Sequence, residues 1–448
     1  MLQQVDASRI PELKSVVSLA LELARSAGAS QCEANASLQK GLNVTVRLGE
    51  VETLEYQRDR GLSITVYFGH RKGSASTADL ALSAVRSTVA KACAIARYTA
   101  EDECAGLADA IRLATEFKNL QLDFPWDLQP DAAVVLAHEC ESAGLAVDKR
   151  LTNSEGASVS TQRGVSVYGN SHGFLEGETS SSHSVSCVLL ASEGHDMQRD
   201  YWYSSARDPA DLQAVQAIGR TAGMRAIARL GARRLTTGKA PVLFAPEVAR
   251  GLIGHFIGAV SGGSQYRKAT FLLDSIGQQI FPSWVQMHER PHLLRAAASS
   301  NFDSEGVQTT DRELIQDGVL EGYLLGSYSA RKLGLVSTGN AGGLHNLLVD
   351  PSAGRPDFSA LLKEMGNGLF VTELMGQGVN GVTGDYSRGA TGFWVEGGAI
   401  AYPVHEITIA GNLKSMYRDF VAIGSDIDLR GGIHMGSLLL SELTIAGE

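Results

Sequence analysis

The length, composition and charge of the chain set the first limits on its structure and partners. Its 448 residues exceed what one hydrophobic core usually organises, so two or three domains are expected. A hydrophobic content of 44% with 20% charged residues is typical of a soluble globular protein and excludes extensive disorder. The 39 Lys and Arg against 49 Asp and Glu give a net charge of -10, which opposes binding to nucleic acid or to anionic membranes.

The cysteines and the apolar runs indicate the compartment. An odd number of cysteines without a C-x-x-C pair argues against a disulfide framework or a cysteine-rich zinc site, and it predicts reduced, mostly buried thiols. These cysteines are Cys32, Cys93, Cys104, Cys140 and Cys187. Residues 1–14 lack a cationic start followed by an apolar run, and no later stretch approaches the roughly 18 apolar residues of a membrane helix. We therefore expect a cytoplasmic protein.

The first segment, residues 1–120, has a helix-hairpin-helix pattern. Residues 11–28 place apolar side chains at a spacing of roughly 3.6, which predicts an amphipathic helix. Residues 31–76 alternate apolar and polar side chains, which predicts antiparallel strands with turns at Gly49-Glu50 and Arg60-Gly61. The helical spacing returns in residues 78–98. Strands grouped between helices indicate an α+β domain.

The second segment, residues 121–232, repeats this order. Residues 130–148 and 208–230 have helical spacing, and residues 151–203 read as a run of short strands separated by Ser and Gly. The polar, irregular stretch 233–238 then marks a boundary. The second segment is therefore predicted to be a central α+β unit.

The third segment, residues 233–448, is rich in strands and glycine. Residues 242–245 predict a buried strand and residues 246–261 a helix, whereas 366–411 predict a large antiparallel sheet. Short helices are expected at 327–333 and 412–421. The fold class predicted for the whole chain is α+β, with the third segment supplying the large antiparallel sheet and a dimer surface.

One stretch matches the zinc-protease pattern H-E-x-x-H, namely His288-Glu289-Arg290-Pro291-His292. Histidines at i and i+4 share a metal only when the backbone between them is helical. Pro291 lacks the N–H that a helix needs and disfavours helical geometry at Arg290. The stretch is therefore interpreted as a solvated loop rather than a metal site.

Two further motif matches lack the helix that their chemistry requires. Residues 376–381 match the dinucleotide fingerprint G-x-G-x-x-G, but residues 382–389 have no helical spacing and too many glycines to hold a pyrophosphate. Residues 169–173 match the nucleophile elbow G-x-S-x-G, but a strand-like stretch follows. We interpret the first as turn and close-packing glycines, among them Gly378 and Gly381, and the second as a hairpin turn.

Several long blocks of sequence resemble the PmbA/TldD family over nearly the whole chain. The blocks are residues 302–306, 329–334, 372–378, 384–390, 392–396 and 406–413. The resemblance implies a cytosolic metalloprotease built from two related subunits that acts on unfolded peptides. In that family the TldD subunit carries an H-E-x-x-x-H metal motif early in its third segment.

The helix that corresponds to this motif is residues 251–260. On that match His255 is retained, whereas Phe256 stands at the catalytic glutamate and Val260 at the second histidine. A hydrolytic zinc centre needs about three protein ligands and a carboxylate that takes the proton of water. The family's catalytic subunit also uses a cysteine near its C-terminus, but Cys187 is the last cysteine here and Met435 is a poor substitute. His255 alone is interpreted as a core histidine.

We therefore predict no catalytic, cofactor-binding or metal-binding residue in this chain. The resemblance implies the TldE side of the pair, with zinc in a TldD-type catalytic subunit, unfolded peptides as substrates, and a homodimer as one state of the isolated chain. Two alternatives stay open. One is an independent metallopeptidase that uses His288, His292 or other ligands, and the other is a peptide-binding scaffold without a proteolytic partner.

Overall fold

The computed structural model describes residues 5–447 and confirms the mixed α+β class. The helices are α1 (Ile10–Ser26), α2 (Leu82–Tyr98), α3 (Pro130–Leu145), α4 (Val215–Ala228), α5 (Pro246–Ala259), α6 (Gly262–Tyr266), α7 (Ser327–Leu333), α8 (Phe358–Met365) and α9 (Leu413–Arg418). The strands are β1 (Gln31–Arg47), β2 (Glu50–Phe68), β3 (Arg71–Thr77), β4 (Leu151–Asn170), β5 (Leu175–Glu193), β6 (Asp196–Ala206), β7 (Gly238–Phe244), β8 (Met287–Glu289), β9 (Arg312–Gln316), β10 (Val319–Leu320), β11 (Leu347–Val349), β12 (Gly368–Met375), β13 (Asp385–Glu396), β14 (Ala399–Asn412), β15 (Phe420–Ile423), β16 (Ile433–His434) and β17 (Leu438–Ala446). No helix in this part of the chain is long and apolar enough to cross a membrane.

The first sheet joins strands from both N-terminal segments. Its order is β3-β2-β1-β4-β5-β6, and every neighbouring pair is antiparallel. β1 pairs with β4 from Glu33↔Asn170 to Val46↔Ala157, so one ladder links the segments on either side of residue 120. The strands β4 and β5, of 20 and 19 residues, are much longer than the short strands predicted for the central segment. The boundary at residue 120 stays a prediction.

The turn predicted at Arg60-Gly61 is wrong. β2 continues through this point without interruption, and Gly61 pairs with Ser37 in β1. The chain turns instead at Gly69, whose φ of +60° is a left-handed conformation that glycine adopts easily. Gly61 therefore occupies a strand interior, which turn propensity alone does not reveal.

Helices cover one face of this sheet and form two cores. At one end α1 buries Leu13 and Val17 against β1 and β2, and at the other α3 and α4 pack against β4 and β5. The two helices α3 and α4 approach closely, because a Cβ at Gly219 would lie 1.8 Å from the carbonyl oxygen of Cys140. Four of the five cysteines are buried, and Cys104 is intermediate.

The sheet of the third segment is mostly antiparallel, but it differs from the prediction in two respects. Its order is β14-β13-β12-β7-β17-β15, and β14 also pairs with β17, so five strands close into a ring with β15 outside it. β7 and β12 are parallel, with Leu369 opposite Val242. The parallel pair arises because the chain crosses over through α5 to α8 before it returns as β12.

A smaller sheet, β10-β9-β8-β11-β16, lies within the same segment. One large hydrophobic cluster joins α5 to this sheet and to the strand ring. Its centre is aromatic: the Phe256 ring lies 5.1 Å from Phe281 and 6.1 Å from Tyr417, centroid to centroid. The helix α5 is thus part of the core of the third segment.

Candidate functional site

The H-E-x-x-H match is not helical. β8 ends at Glu289, and the chain then turns at Pro291 and His292. His288 lies between two carboxylates, with Nδ1 at Glu313 and Nε2 3.0 Å from Asp350. Burial alone would lower the pKa of His288, but its hydrogen bonds to Asp350 and Glu313 outweigh burial and raise the pKa. Both ring nitrogens are therefore engaged in an ion-pair arrangement.

The solvated-loop interpretation of this stretch is wrong for Glu289, which is 1% exposed. Its carboxylate accepts hydrogen bonds from Arg312 Nε at 2.7 Å and Asn340 Nδ2 at 2.7 Å, and from the backbone N–H of His345 at 2.8 Å. His292 lies apart from this group, beside Lys118 and Thr309. Glu289 thus links β8 to β9 and to the loop that contains Asn340 and His345.

The two other motif matches occupy turns. Residues 376–384 connect β12 to β13 without a helix, and a Cβ at Gly378 would lie 1.9 Å from the carbonyl oxygen of Ser387. Gly381 meets nothing within 4 Å, so close packing applies to Gly378 and not to Gly381. Ser171 lies in the turn between β4 and β5, where its Oγ accepts a hydrogen bond from the N–H of Cys32. Both interpretations as turn segments are confirmed.

The α5 positions inferred from the family motif face the core. Phe256 and Val260 are both 0% exposed, and both belong to the large hydrophobic cluster, as does Met435. His255 is half-buried, with its ring 6.1 Å from that of Tyr386. Burial and the positive charge of Arg388 lower the pKa of His255. The side chains at these positions supply at most one metal-binding atom.

The side chains at these four positions, His255, Phe256, Val260 and Met435, therefore do not fit a zinc ion. Across residues 5–447, no three His, Cys, Asp or Glu side chains are grouped so as to hold a metal ion. Zinc in proteins takes three or four nitrogen, sulfur or oxygen ligands at about 2.0–2.3 Å. The phenyl, isopropyl and thioether groups of Phe256, Val260 and Met435 belong to one buried hydrophobic cluster instead.

A large cavity, which we call the central groove, has a volume of about 1180 Å³ and lies between the central segment and the third segment. It is lined by β6, α4, the start of α5, β12 and β13, and the loop 426–430. Its larger apolar side chains are Trp202, Met224, Leu293, Leu294, Phe358, Phe370, Phe393, Ile427 and Leu429. Met224, Leu294 and Leu429 are 55%, 59% and 67% exposed, so the groove presents a sizeable apolar surface to solvent.

Arginine and carboxylate pairs fix the walls of the central groove. Asp200 on β6 is 3% exposed and lies 3.3 Å from Nε of Arg225 on α4 and 2.7 Å from Nε of Arg229, the residue that follows α4. Arg225 also bonds Glu247 at the start of α5, at 3.0 Å. These pairs join β6 and α4 to the third segment, so the groove has a preformed shape.

A second network of hydrogen bonds, centred on Arg430, also lines the groove. Arg430 bonds the carboxylate of Asp428 at 2.8 Å, donates to the carbonyl of Tyr203 at 3.0 Å, and lies 4.3 Å from the ring centroid of Trp202. Burial opposes ionisation of Asp428, but its hydrogen bonds with Arg430 outweigh burial and lower its pKa. Burial lowers the pKa of the nearby His434, which keeps its imidazole neutral near pH 7.

The edge of the first sheet runs along the central groove. β6 is the last strand of that sheet, and Ser204 and Ser205 line the groove. Residues alternate along β6, and the Tyr203 carbonyl points away from β5 because it accepts from Arg430. The backbone N–H and C=O of Ser205, two residues on, therefore also point outward, and neither bonds to the residues that the structure describes.

A second cavity of about 540 Å³ is acidic. Its five carboxylates are Glu33, Glu176, Glu178, Asp303 and Glu305, and no Lys or Arg lines it among the described residues. Burial raises the pKa of Asp303 to about 6, although its carboxylate accepts hydrogen bonds from three backbone N–H groups. Burial also raises the pKa of Glu33, against hydrogen bonds from Tyr168 and Tyr67. Burial in this cavity therefore opposes the ionisation of Asp303 and Glu33.

Comparison with known proteins defines the class as a metallopeptidase family. Models of the PmbA/TldA metallopeptidase match domain 1 at residues 32–96, the central domain at 123–230 and the C-terminal domain at 237–447. The chain belongs to the PmbA/TldD family. Metalloprotease PmbA of Escherichia coli O157:H7 is 53% identical over 448 residues, which cover 100% of this chain and 98% of that protein.

Solved structures share the fold over the whole chain. A candidate modulator of DNA gyrase from Bacteroides thetaiotaomicron has a TM-score of 0.93 and 27% identity, covering 98% of this chain and 100% of that one. TldE from Thermococcus kodakarensis has a TM-score of 0.83 over 95% and 99% of the two chains. At 18% identity the second match shows the fold alone.

Sequence reasoning missed the central groove. Its walls come from stretches of the chain that extend from Asp200 to Ser437, and no local motif joins them. The only signal available was a set of apolar residues in polar stretches, such as Leu293-Leu294 and Leu429. Those residues carry no information about what they face.

Proposed function

We propose that this chain is the non-catalytic subunit of a two-subunit metallopeptidase that acts on unfolded peptides. The observation that carries the proposal is the burial of Phe256 and Val260 in the core at the positions where the family motif has a glutamate and a histidine. Zinc is then supplied by a TldD-type catalytic subunit. A chain that keeps the family fold over its full length without these groups contributes shape and binding surface to the pair.

The central groove is the surface that we assign to the peptide. An extended peptide can bind through main-chain hydrogen bonds to an open sheet edge, while apolar pockets accept alternate side chains without demanding a particular sequence. The groove supplies both elements, since the outward backbone of Ser205 lies beside Trp202 and the apolar wall. A flexible peptide fits a groove of this size, whereas a folded protein does not offer a free strand.

The sheet of the third segment offers only a short edge for such pairing. The sheet of the third segment closes through the β14–β17 pairing, with Ile409 opposite Ile445, so five of its strands have neighbours on both sides. Its outer strand, β15, has only four residues. The longer edge is β6 of the first sheet, with 11 residues. We therefore place peptide pairing at β6.

The non-catalytic role is tested by a three-way peptidase assay. An unfolded peptide is incubated with this chain alone, with a TldD-type subunit alone and with the mixture, each with and without a chelator. We expect cleavage in the mixture only, and its loss with chelator. Chelator-sensitive cleavage by this chain alone would support the independent metallopeptidase, and equal cleavage by the partner alone would remove the need for this subunit.

The groove assignment is tested separately with the isolated chain. Ser205→Pro removes one outward N–H of β6 and leaves the ladder to β5 intact, because the hydrogen bonds of Ser205 point away from β5. Ser205→Ala is the matched control, since it keeps the N–H. We expect Ser205→Pro to weaken binding of a fluorescent unfolded peptide about tenfold, and Ser205→Ala to leave it unchanged. Equal binding by both variants would exclude pairing at this edge.

A further inference from the structure

A row of three cationic side chains crosses the first sheet. Arg58 on β2 lies directly opposite Lys40 on β1, and Lys40 lies directly opposite Arg163 on β4. Directly opposite residues place their side chains on the same face of a sheet, and like charges in such positions destabilise the pairing. Asp123 neutralises Arg163, since each of its carboxylate oxygens lies 2.7 Å from the guanidinium. Within residues 5–447, neither Lys40 nor Arg58 forms an ion pair, so their repulsion has no such compensation.

The row lies in a cleft between two groups of helices. On β1, Leu38 packs against the core under α1 and α2, whereas Leu42 belongs to the core under α3 and α4. Lys40 alternates with these two residues on the same face of the sheet, so its side chain lies between the two cores. We call this gap the cation cleft and define it by Arg9, Lys40, Arg58, Arg60 and Arg163.

Two adjoining cavities occupy the cation cleft. One, of about 270 Å³, lies on the side of α3, and the other, of about 240 Å³, lies on the side of α1. Lys40 and Arg58 line both cavities, so the cavities meet at these two side chains. The five cations of the cleft face only two carboxylates in the cavity walls, those of Asp59 and Asp127. The cleft is thus a positive region on a chain whose net charge is -10.

Both flanking helices begin at the cation cleft. Gln129, the residue before α3, lines the cavity on that side, and Arg9, the residue before α1, lines the other cavity. Gln129 makes no capping hydrogen bond through its side chain, and the first N–H groups of a helix have no acceptor within the helix. Nε of Arg9 is buried and has no hydrogen-bond partner among the described residues. Helix starts carry a partial positive charge, so these groups add to the attraction that the cleft exerts on an anion.

We propose that the cation cleft binds a small ligand that carries a phosphoryl group, whose oxygens accept hydrogen bonds from Lys40 and Arg58. Lysine and arginine bind phosphoryl oxygens through charge-assisted hydrogen bonds, and helix starts favour the same group. The bound anion offsets the repulsion within the row. The net charge of -10 opposes a long polyanion such as nucleic acid, and the size of the cavities suits a small molecule. The cleft shares no residue with the central groove, and the inference does not depend on the proposed function.

Calorimetric titration of the full chain with pyrophosphate, in a buffer free of phosphate, tests this site. We expect saturable binding by the wild-type chain. Lys40→Gln and Arg58→Gln should each weaken binding about tenfold or more, because each removes a charge-assisted hydrogen bond to the ligand. Lys72→Gln is the matched control, because Lys72 is exposed on β3 of the same sheet and lines neither cavity. We expect the control to bind pyrophosphate as the wild type does.

Thermal unfolding without ligand distinguishes a binding role of Lys40 from a structural one. Lys40→Gln relieves the repulsion within the row, so its unfolding temperature should equal or exceed that of the wild type. Pyrophosphate should raise the unfolding temperature of the wild type but not that of the variant. A lower unfolding temperature of ligand-free Lys40→Gln would show that the lysine is structural and would overturn the proposal.

Titration with ADP under the same conditions identifies the source of the phosphoryl group. Trp126 lines the cavity beside α3, and aromatic rings bind nucleotide bases by stacking. Tighter binding of ADP than of pyrophosphate, with a fluorescence quenching that Trp126→Phe abolishes, would identify a nucleotide, whereas binding no tighter would identify the phosphoryl group alone. Absence of saturable pyrophosphate binding, unchanged binding by Lys40→Gln and Arg58→Gln, or an equal loss in Lys72→Gln would overturn the proposal.

Discussion

Replacing Phe256 with alanine should destabilise the protein by about 3–5 kcal/mol, the usual range for a fully buried phenylalanine. The ring is 0% exposed and makes edge-to-face contacts with Phe281 and Tyr417. Each aromatic pair is worth roughly 0.5–1.5 kcal/mol beyond the area that it buries, which favours the upper half of the range. The physical reason is that the core around α5 cannot collapse to fill the space.

Urea unfolding measures this effect as a shift in the transition that reports on the third segment. His255→Ala is the control on the same helix, since His255 is half-buried and touches Tyr386 only at its ring edge. We expect the control to cost about 1 kcal/mol or less. A Phe256→Ala cost below about 1 kcal/mol, or a larger cost for His255→Ala, would refute the assignment of this position to the core.

Three further outcomes follow from the structure. Gly378→Val should lower the thermal unfolding temperature strongly, because the new Cβ would clash with the carbonyl oxygen of Ser387. Gly381→Val should change the unfolding temperature little, because a Cβ at Gly381 meets nothing within 4 Å. The opposite order of the two effects would contradict the packing argument. Glu289→Ala should cost about 3–5 kcal/mol in urea unfolding because it strands the Arg312 guanidinium in a buried site, and a cost near zero would show that the site is hydrated. The free energy of unfolding should fall as the pH rises from 4 to 6, because the pKa of Asp303 is about 6 in the folded chain and 3.8 ordinarily. Asp303→Asn should lack this decrease, which is on the order of 3 kcal/mol. An identical pH dependence in the variant would exclude Asp303 as the source of the decrease.

Most helices were predicted from the sequence because the apolar residues of a buried helix face recur every three or four residues within the helix itself. α1 and α5 begin at or next to a proline and place apolar residues at helical spacing, so their existence and approximate bounds follow from the sequence. Alternation predicted that strands occur in these regions but not how long they are, since β2 runs through the turn predicted at Arg60-Gly61 and β4 and β5 are longer than predicted. Strand order did not follow from the sequence, because the β1–β4 ladder and the β14–β17 closure join residues far apart in the chain. The alternation of apolar and polar residues identifies a strand but does not show which other strand it pairs with.

At positions 256 and 260 the sequence lacks the glutamate and the histidine of the family's metal motif, but the contacts that Phe256 and Val260 make were not predictable. Glu289 shows the opposite limit. A charged residue near a proline is predicted to be exposed. Glu289 can be buried only because Arg312 and Asn340, from other parts of the third segment, donate hydrogen bonds to its carboxylate. The central groove is non-local in the same sense.

Metal analysis of the isolated protein tests most directly the proposed absence of a metal site in this chain. The purified chain is dialysed mildly, and zinc is quantified by mass spectrometry against protein concentration. We predict no stoichiometric zinc, because Phe256 and Val260 supply neither ligand nor base and no other ligand group is found in residues 5–447. About one zinc per chain that is lost in His288→Ala or His292→Ala would contradict the account and restore the independent metallopeptidase.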